Sequence, residues 1–175
     1  MTKAKLLKYA VAGLAVAGLL ALAAPGARAD STTIGAKVDI AEAISISSGL
    51  DLDFATVSAP ETGGPGTIEV ATDDTVTEGG GSVVTNGTPG AGTFDVSGQG
   101  SATYAITGPT LTTDFTATAL SLGSLTSDPS GAGTLDAGGA QTIKIGGTLS
   151  INVGATAGTN GGGNPAVITV EVNYN

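Results

Sequence analysis

At 175 residues the chain has room for one domain and is short for two. It contains no Cys and no His, which removes thiol nucleophiles, imidazole zinc sites and the usual catalytic triads, and at 3 % aromatic residues it offers no base- or sugar-stacking platform. A net charge of −9 repels phosphate backbones and anionic headgroups, so neither nucleic acid nor a membrane surface is expected as a partner.

Residues 1–29 read as a cleaved signal peptide. Lys3, Lys5 and Lys8 form a positive n-region, and residues 9–24 are an apolar run. Pro25-Gly26 breaks that run, and Ala27-Arg28-Ala29 supplies the small-x-small cleavage pattern. The competing reading is a transmembrane anchor, but the run falls short of the ~20 residues a bilayer needs. A lipoprotein would require a Cys at the cleavage point. Removing residues 1–29 takes four of the 6 cations, leaving Lys37 and Lys144, and none of the 15 acids, so a chain of −9 becomes a mature chain of −13. The expectation is general secretion to the periplasm or extracellular surface of a bacterium, with no membrane insertion after cleavage. Mutual repulsion then keeps a Gly-rich, β-prone chain soluble.

Residues 30–41 form an N-terminal extension. Ile34, Ala36, Val38 and Ile40 alternate with polar neighbours that include Lys37 and Asp39, so the four share one face of an extended strand. A strand ahead of the compact body is what strand donation between subunits requires. Burying Ile34, Val38 and Ile40 contributes roughly 1.5–3 kcal/mol each, and each ladder hydrogen bond about 0.5–1.5 kcal/mol. Alternation does not say whose sheet the strand joins, and the other reading makes it the first strand of its own sandwich.

Residues 42–175 read as an all-β domain. Short alternating sets recur along it: Ile44 and Ile46; Leu50, Leu52 and Phe54; Ile68 and Val70; Phe94 and Val96; Tyr104 and Ile106. Ile143 and Ile145 follow, then Leu149, Ile151 and Val153, and last Ile168, Val170, Val172 and Tyr174. Turn formers separate them at residues 60–65 and 78–81, Asn86-Gly87, Gly108-Pro109, residues 128–131, Gly146-Gly147 and residues 161–163. Gly-Thr-apolar units at Gly66, Gly92, Gly133 and Gly147 lack a fixed period and read as strand starts. No segment carries a helical apolar stripe. About seven to eight antiparallel strands pack most readily as an immunoglobulin-like β-sandwich, here without the paired Cys and core Trp of antibody domains.

The final strand adds a second clue to assembly. It resembles the end of chaperone–usher pilins, which have a Gly about fourteen residues from the terminus and a penultimate Tyr, positions held here by Gly162 and Tyr174. Those pilins usually carry a disulfide, which this chain lacks. The resemblance places an accepting edge along Gly162, Val170, Val172 and Tyr174.

Carboxylates give little sign of catalysis. Asp51 and Asp53 lie opposite Leu50, Leu52 and Phe54 and so face solvent, and Asp73-Asp74 occupies a Thr-rich turn; all four read as solvated charge. Asp128 and Asp136, with carbonyls of the intervening Gly loop, are the least weak candidates for calcium, although no EF-hand or repeat-type loop is present. Asn86-Gly87-Thr88 fits a glycosylation sequon but reads first as a turn. No catalytic residue, metal site or cofactor is expected, and the chain is not expected to be an enzyme.

Over almost the whole mature chain the sequence resembles a family of secreted bacterial proteins known as a domain of unknown function, number four-four-zero-two. The likeness runs through Ile44-Ser45-Ile46, Leu52-Asp53-Phe54-Ala55-Thr56-Val57 and Gly92-Thr93-Phe94-Asp95-Val96-Ser97-Gly98. It continues in Ala102-Thr103-Tyr104-Ala105-Ile106, Gly133-Thr134-Leu135-Asp136-Ala137-Gly138-Gly139, Gly147-Thr148-Leu149 and Val170-Glu171-Val172-Asn173-Tyr174. It implies a small, pilin-like or spore-coat-like exported β-sandwich and carries no catalytic residues with it. The expected function is an exported structural subunit of a surface filament or fimbria-like assembly. Its partners would be further copies of itself or a periplasmic assembly chaperone. The alternative is a monomeric, self-complemented surface or periplasmic binding module of adhesin type.

Overall fold

The computed structural model describes residues 30–115, 119–156, 158 and 165–175. The signal-peptide reading of residues 1–29 and the position of Gly162 lie outside them. The chain divides into two units, residues 1–39 and residues 40–175. In the first, residues 30–39 carry no strand and every side chain is exposed.

The second unit is an antiparallel β-sandwich of eleven strands, with no helix among the described residues. In chain order they are β1 (Ser45–Ser48), β2 (Thr56–Val57), β3 (Gly66–Val70), β4 (Val76–Gly79), β5 (Val84–Asn86) and β6 (Gly92–Ser97). Then come β7 (Thr103–Thr113), β8 (Leu120–Asp128), β9 (Ala132–Thr134), β10 (Ala140–Ile151) and β11 (Val167–Tyr174). The expected sandwich is present, with more strands than expected: several have only two to four residues, while β7 and β10 run longer than the alternating sets.

β10 organises the larger sheet. Along one edge it pairs β8, and along the other it pairs β6 over residues 140–145 and then β3 over residues 147–151. β1 extends this sheet beyond β6, and β4 extends it beyond β3. A second sheet runs β11-β7-β9, and β2 and β5 form a small ribbon.

The faces meet in two apolar clusters. One joins Val96, Ile143 and Ile145 of the first sheet to Tyr104, Ile106 and Val170 of the second, with Leu135. The other gathers Phe54, Ile68, Val70, Leu122, Leu149 and Ile151. Ile168 packs against both. Period-two alternation along each strand puts these residues on one face, and their removal from water is the main stabilising term.

Two expected turns are strand interiors. Gly146-Gly147 lies within β10, which runs through it without a break. A Cβ on Gly147 would meet Leu125 at 2.9 Å, Leu52 at 3.2 Å and Leu122 at 3.3 Å, so Gly serves close packing there instead of chain reversal. Gly108-Pro109 lies inside β7, where the register against β11 slips between Thr169 and Glu171. The inward positions accordingly change phase, from buried Tyr104 and Ile106 to half-buried Pro109 and Leu111.

Leu50, Leu52 and Phe54 do not form the regular strand expected of them. Gly49 N–H donates to Thr93 O, Thr93 N–H donates to Leu50 O, and a single bridge joins Asp53 to Gly90. The segment therefore stays beside Thr93 and Gly90 without a regular ladder, with Leu50 72 % exposed and Phe54 buried.

Candidate functional site

Three features of the surface stand out: the apolar arm, the final strand and a cleft between the sheets. On the arm, Ile34 is 96 % exposed, Val38 83 % and Ile40 91 %, and Ala36 is exposed as well. Large aliphatic side chains scattered singly over a surface need no explanation, but here they recur at every second position of one short segment.

The final strand is an edge strand. Among the described residues β11 pairs with β7 alone, and β1 in the facing sheet pairs with β6 alone. Val170 is buried, and Val172 and Tyr174 are half-buried against the first cluster together with Ile44 and Ile46. The Tyr174 hydroxyl donates to Glu42 O at 2.8 Å and accepts Gln99 N–H at 2.6 Å. The half of β11 that carries the expected accepting residues is thus closed over by β1 and by the chain just before it.

The other half is open. Where β1 ends and β11 begins, a cleft of about 800 Å³ separates the 50–54 segment from residues 165–168. Of the residues that line it, Leu50 and Val167 are exposed and form its lips, while Phe94, Phe115, Leu122 and Ile145 are buried or half-buried. The cleft lies beside the 49–54 segment, which keeps its bonds to Thr93 and Gly90 but forms no regular strand. Sequence reasoning missed it: its walls come from positions far apart in the chain, and only Leu50, an apolar residue in an otherwise buried pattern, hinted at it.

The acidic residues fall elsewhere. Asp51 and Asp53 are exposed, and Asp53 Oδ1 accepts the Ala55 N–H at 2.7 Å. Asp73 and Asp74 are exposed too, and Asp74 is also bonded to other segments. Its Oδ1 accepts the Ala91 N–H at 2.8 Å, and its Oδ2 pairs with Lys144 Nζ at 2.9 Å, which ties the β3–β4 turn to β6 and β10. The Lys144 ammonium, and then the Ala91 N–H, hold the Asp74 carboxyl below its ordinary value, while the Thr75 hydroxyl and N–H do the same for Asp73. Asp136 Oδ1 is occupied by the N–H groups of Gly138 and Ala140, closing the β9–β10 turn. Among the described residues no group of three or more His, Cys, Asp or Glu is placed to hold a metal. Asn86 Oδ1 accepts the Gly87 N–H at 3.0 Å, within the expected turn.

These features define an antiparallel β-sandwich with an open edge in each sheet and an apolar cleft between the two. The chain belongs to the family described as Domain of unknown function (DUF4402), whose profile matches residues 44–174, the whole sandwich from just before β1 to the end of β11. No curated protein and no solved structure matches it.

Proposed function

We propose that the mature chain is a non-enzymatic structural subunit of a bacterial surface filament, exported by a cleaved signal peptide and polymerised by β-strand donation. On this reading Ile34, Ala36, Val38 and Ile40 form the donated strand, a second copy of the chain receives it, and a periplasmic chaperone covers the receiving groove before assembly. The observation that carries the proposal is the arm itself: four alternate apolar side chains, exposed and outside any strand. Adding such a segment to a sheet edge satisfies backbone groups on both sides and buries one apolar face.

A monomeric, self-complemented module is the second reading. It is favoured by the Tyr174–Glu42 bond, which seals half of the seam within one chain.

Replacing Val38 and Ile40 together by Asp separates the two. Loss of high-mass species in light scattering, with an unchanged β-type circular dichroism spectrum, is the expected result. Polymers that persist in the double variant overturn strand donation.

A further inference from the structure

We infer that the receiving site is the cleft at the beginning of β11, between Leu50 and Val167, and that its occupant is the 34–40 segment of a second copy of this chain and not the chain's own. This rests on the strand-donation reading and adds to it a location and a direction of exchange.

The location follows from the two ends of the seam between β1 and β11. At the Tyr174 end the seam is filled: Ile44, Ile46 and Val172 pack together, and Tyr174 binds the backbone of Glu42 and Gln99. At the Val167 end the described residues leave a cleft of about 800 Å³, lined by Phe94 and Phe115 and bordered by Leu50, which is 72 % exposed. The edge of β11 here has no strand beside it among the described residues, so an incoming strand finds unpaired backbone groups as well as an apolar floor.

The size of the floor suits a short strand. It extends along β10 from Ile145 to the level of Leu122, which pairs with Leu149. Five residues of strand, i to i+4, span roughly 13 Å and seat three inward side chains at i, i+2 and i+4. The arm offers four such residues in sequence, with the small Ala36 among larger neighbours.

The direction of exchange follows from reach. Glu42 is held at the Tyr174 end, and β1 then runs toward the cleft, which opens after Ser48. The arm upstream of Glu42 thus has the whole length of β1 between its root and the cleft. To fill its own cleft it would have to reverse at Ala41, Glu42 and Ala43, none of which is a favoured turn residue. After that reversal the seven residues back to Ile34 span only about 23 Å, roughly the distance that residues 42–49 have just covered. Ile34 would arrive at the near mouth, while Val38 and Ile40 stayed alongside β1. A second copy has no such limit.

The absence of cysteine makes the test clean. Arm variants Ile34→Cys, Val38→Cys and Ile40→Cys of residues 30–175 are each mixed with lip variants Val167→Cys or Leu50→Cys, and with Glu171→Cys as the control on the closed half of β11. All of these side chains are exposed, so the variants fold. The expected result under oxidation is a disulfide-linked dimer of arm and lip variants, none with Glu171→Cys, and a covalent ladder when arm and lip cysteines share one chain. An internally closed monomer from that double variant overturns exchange between copies. Polymers that cross-link only through Glu171→Cys, or through neither position, overturn the location while leaving strand donation standing. No polymer in light scattering before oxidation removes the strand-donation reading itself.

Discussion

The hydroxyl of Tyr174, the penultimate residue, donates to the backbone carbonyl of Glu42 at 2.8 Å, so the last strand of the sandwich clamps the point where the chain enters it. The same oxygen accepts the Gln99 N–H at 2.6 Å, which adds the β6–β7 turn to the clamp. One side chain thereby fixes three segments distant in sequence, and it decides where a flexible arm would begin.

Tyr174→Phe keeps the ring and removes both bonds. At about 0.5–1.5 kcal/mol per bond, and nearer the lower figure at an exposed rim, the expected loss is about 1–2 kcal/mol in urea unfolding. Amide exchange at Gln99 should accelerate in the same variant. Unchanged stability and unchanged exchange would show that the clamp is idle.

Gly139 and Gly138 are adjacent in the β9–β10 turn but differ in what they tolerate. Gly139 has φ +82, and a Cβ there would run into the carbonyl oxygen of Gly98, which itself is tied to the turn by Gly98 N–H donating to Gly139 O at 2.9 Å. Gly139→Ala combines left-handed backbone strain with a backbone clash and should cost upwards of about 2 kcal/mol. Gly138→Ala meets only Asp136 Oδ1, at 3.3 Å, and should change stability by about 0.5 kcal/mol or less. Thermal denaturation of the two variants side by side checks the contrast; equal losses would contradict it.

Acid and base act on different groups. The folded-state carboxyl of Asp74 lies below its ordinary 3.8 because of Lys144 and Ala91, so the stability it contributes is present above about pH 4 and is lost as pH falls through the lower folded value. Asp74→Asn should therefore flatten the acid limb of a stability–pH curve. Tyr104 is fully buried, donating to Gln141 Oε1 at 2.7 Å, and burial raises its hydroxyl above the ordinary 10.0. Its contribution is complete below about pH 10 and declines above it, as the unfolded state ionises first. Phenolate absorbance should show Tyr104 ionising only together with unfolding; a Tyr104 signal that titrates within the folded protein would contradict this.

Much of the fold was legible along the chain. β11 shows why: Val170 is buried, Ile168, Val172 and Tyr174 are half-buried, and their neighbours are exposed, as strict alternation requires. Glycine was the ambiguous letter. The same residue permits a chain reversal and a close approach of side chains, and only the crossing of Leu52, Leu122 and Leu125 over Gly147 decides for the second. Long-range partnerships were equally hidden. Asp74 and Lys144 are 70 residues apart, and no local pattern marks them as a pair. The cleft was least legible of all, since Leu50, Phe94, Phe115 and Val167 meet only once the two sheets are stacked.

Size-exclusion chromatography with light scattering, on residues 30–175 beside residues 42–175, tests the central claim most directly. Strand donation predicts a ladder of multimers from the longer chain and a folded monomer from the shorter one. A longer chain that stays a stable monomer, with a shorter one that unfolds, would contradict it and place the 30–41 segment in its own sheet.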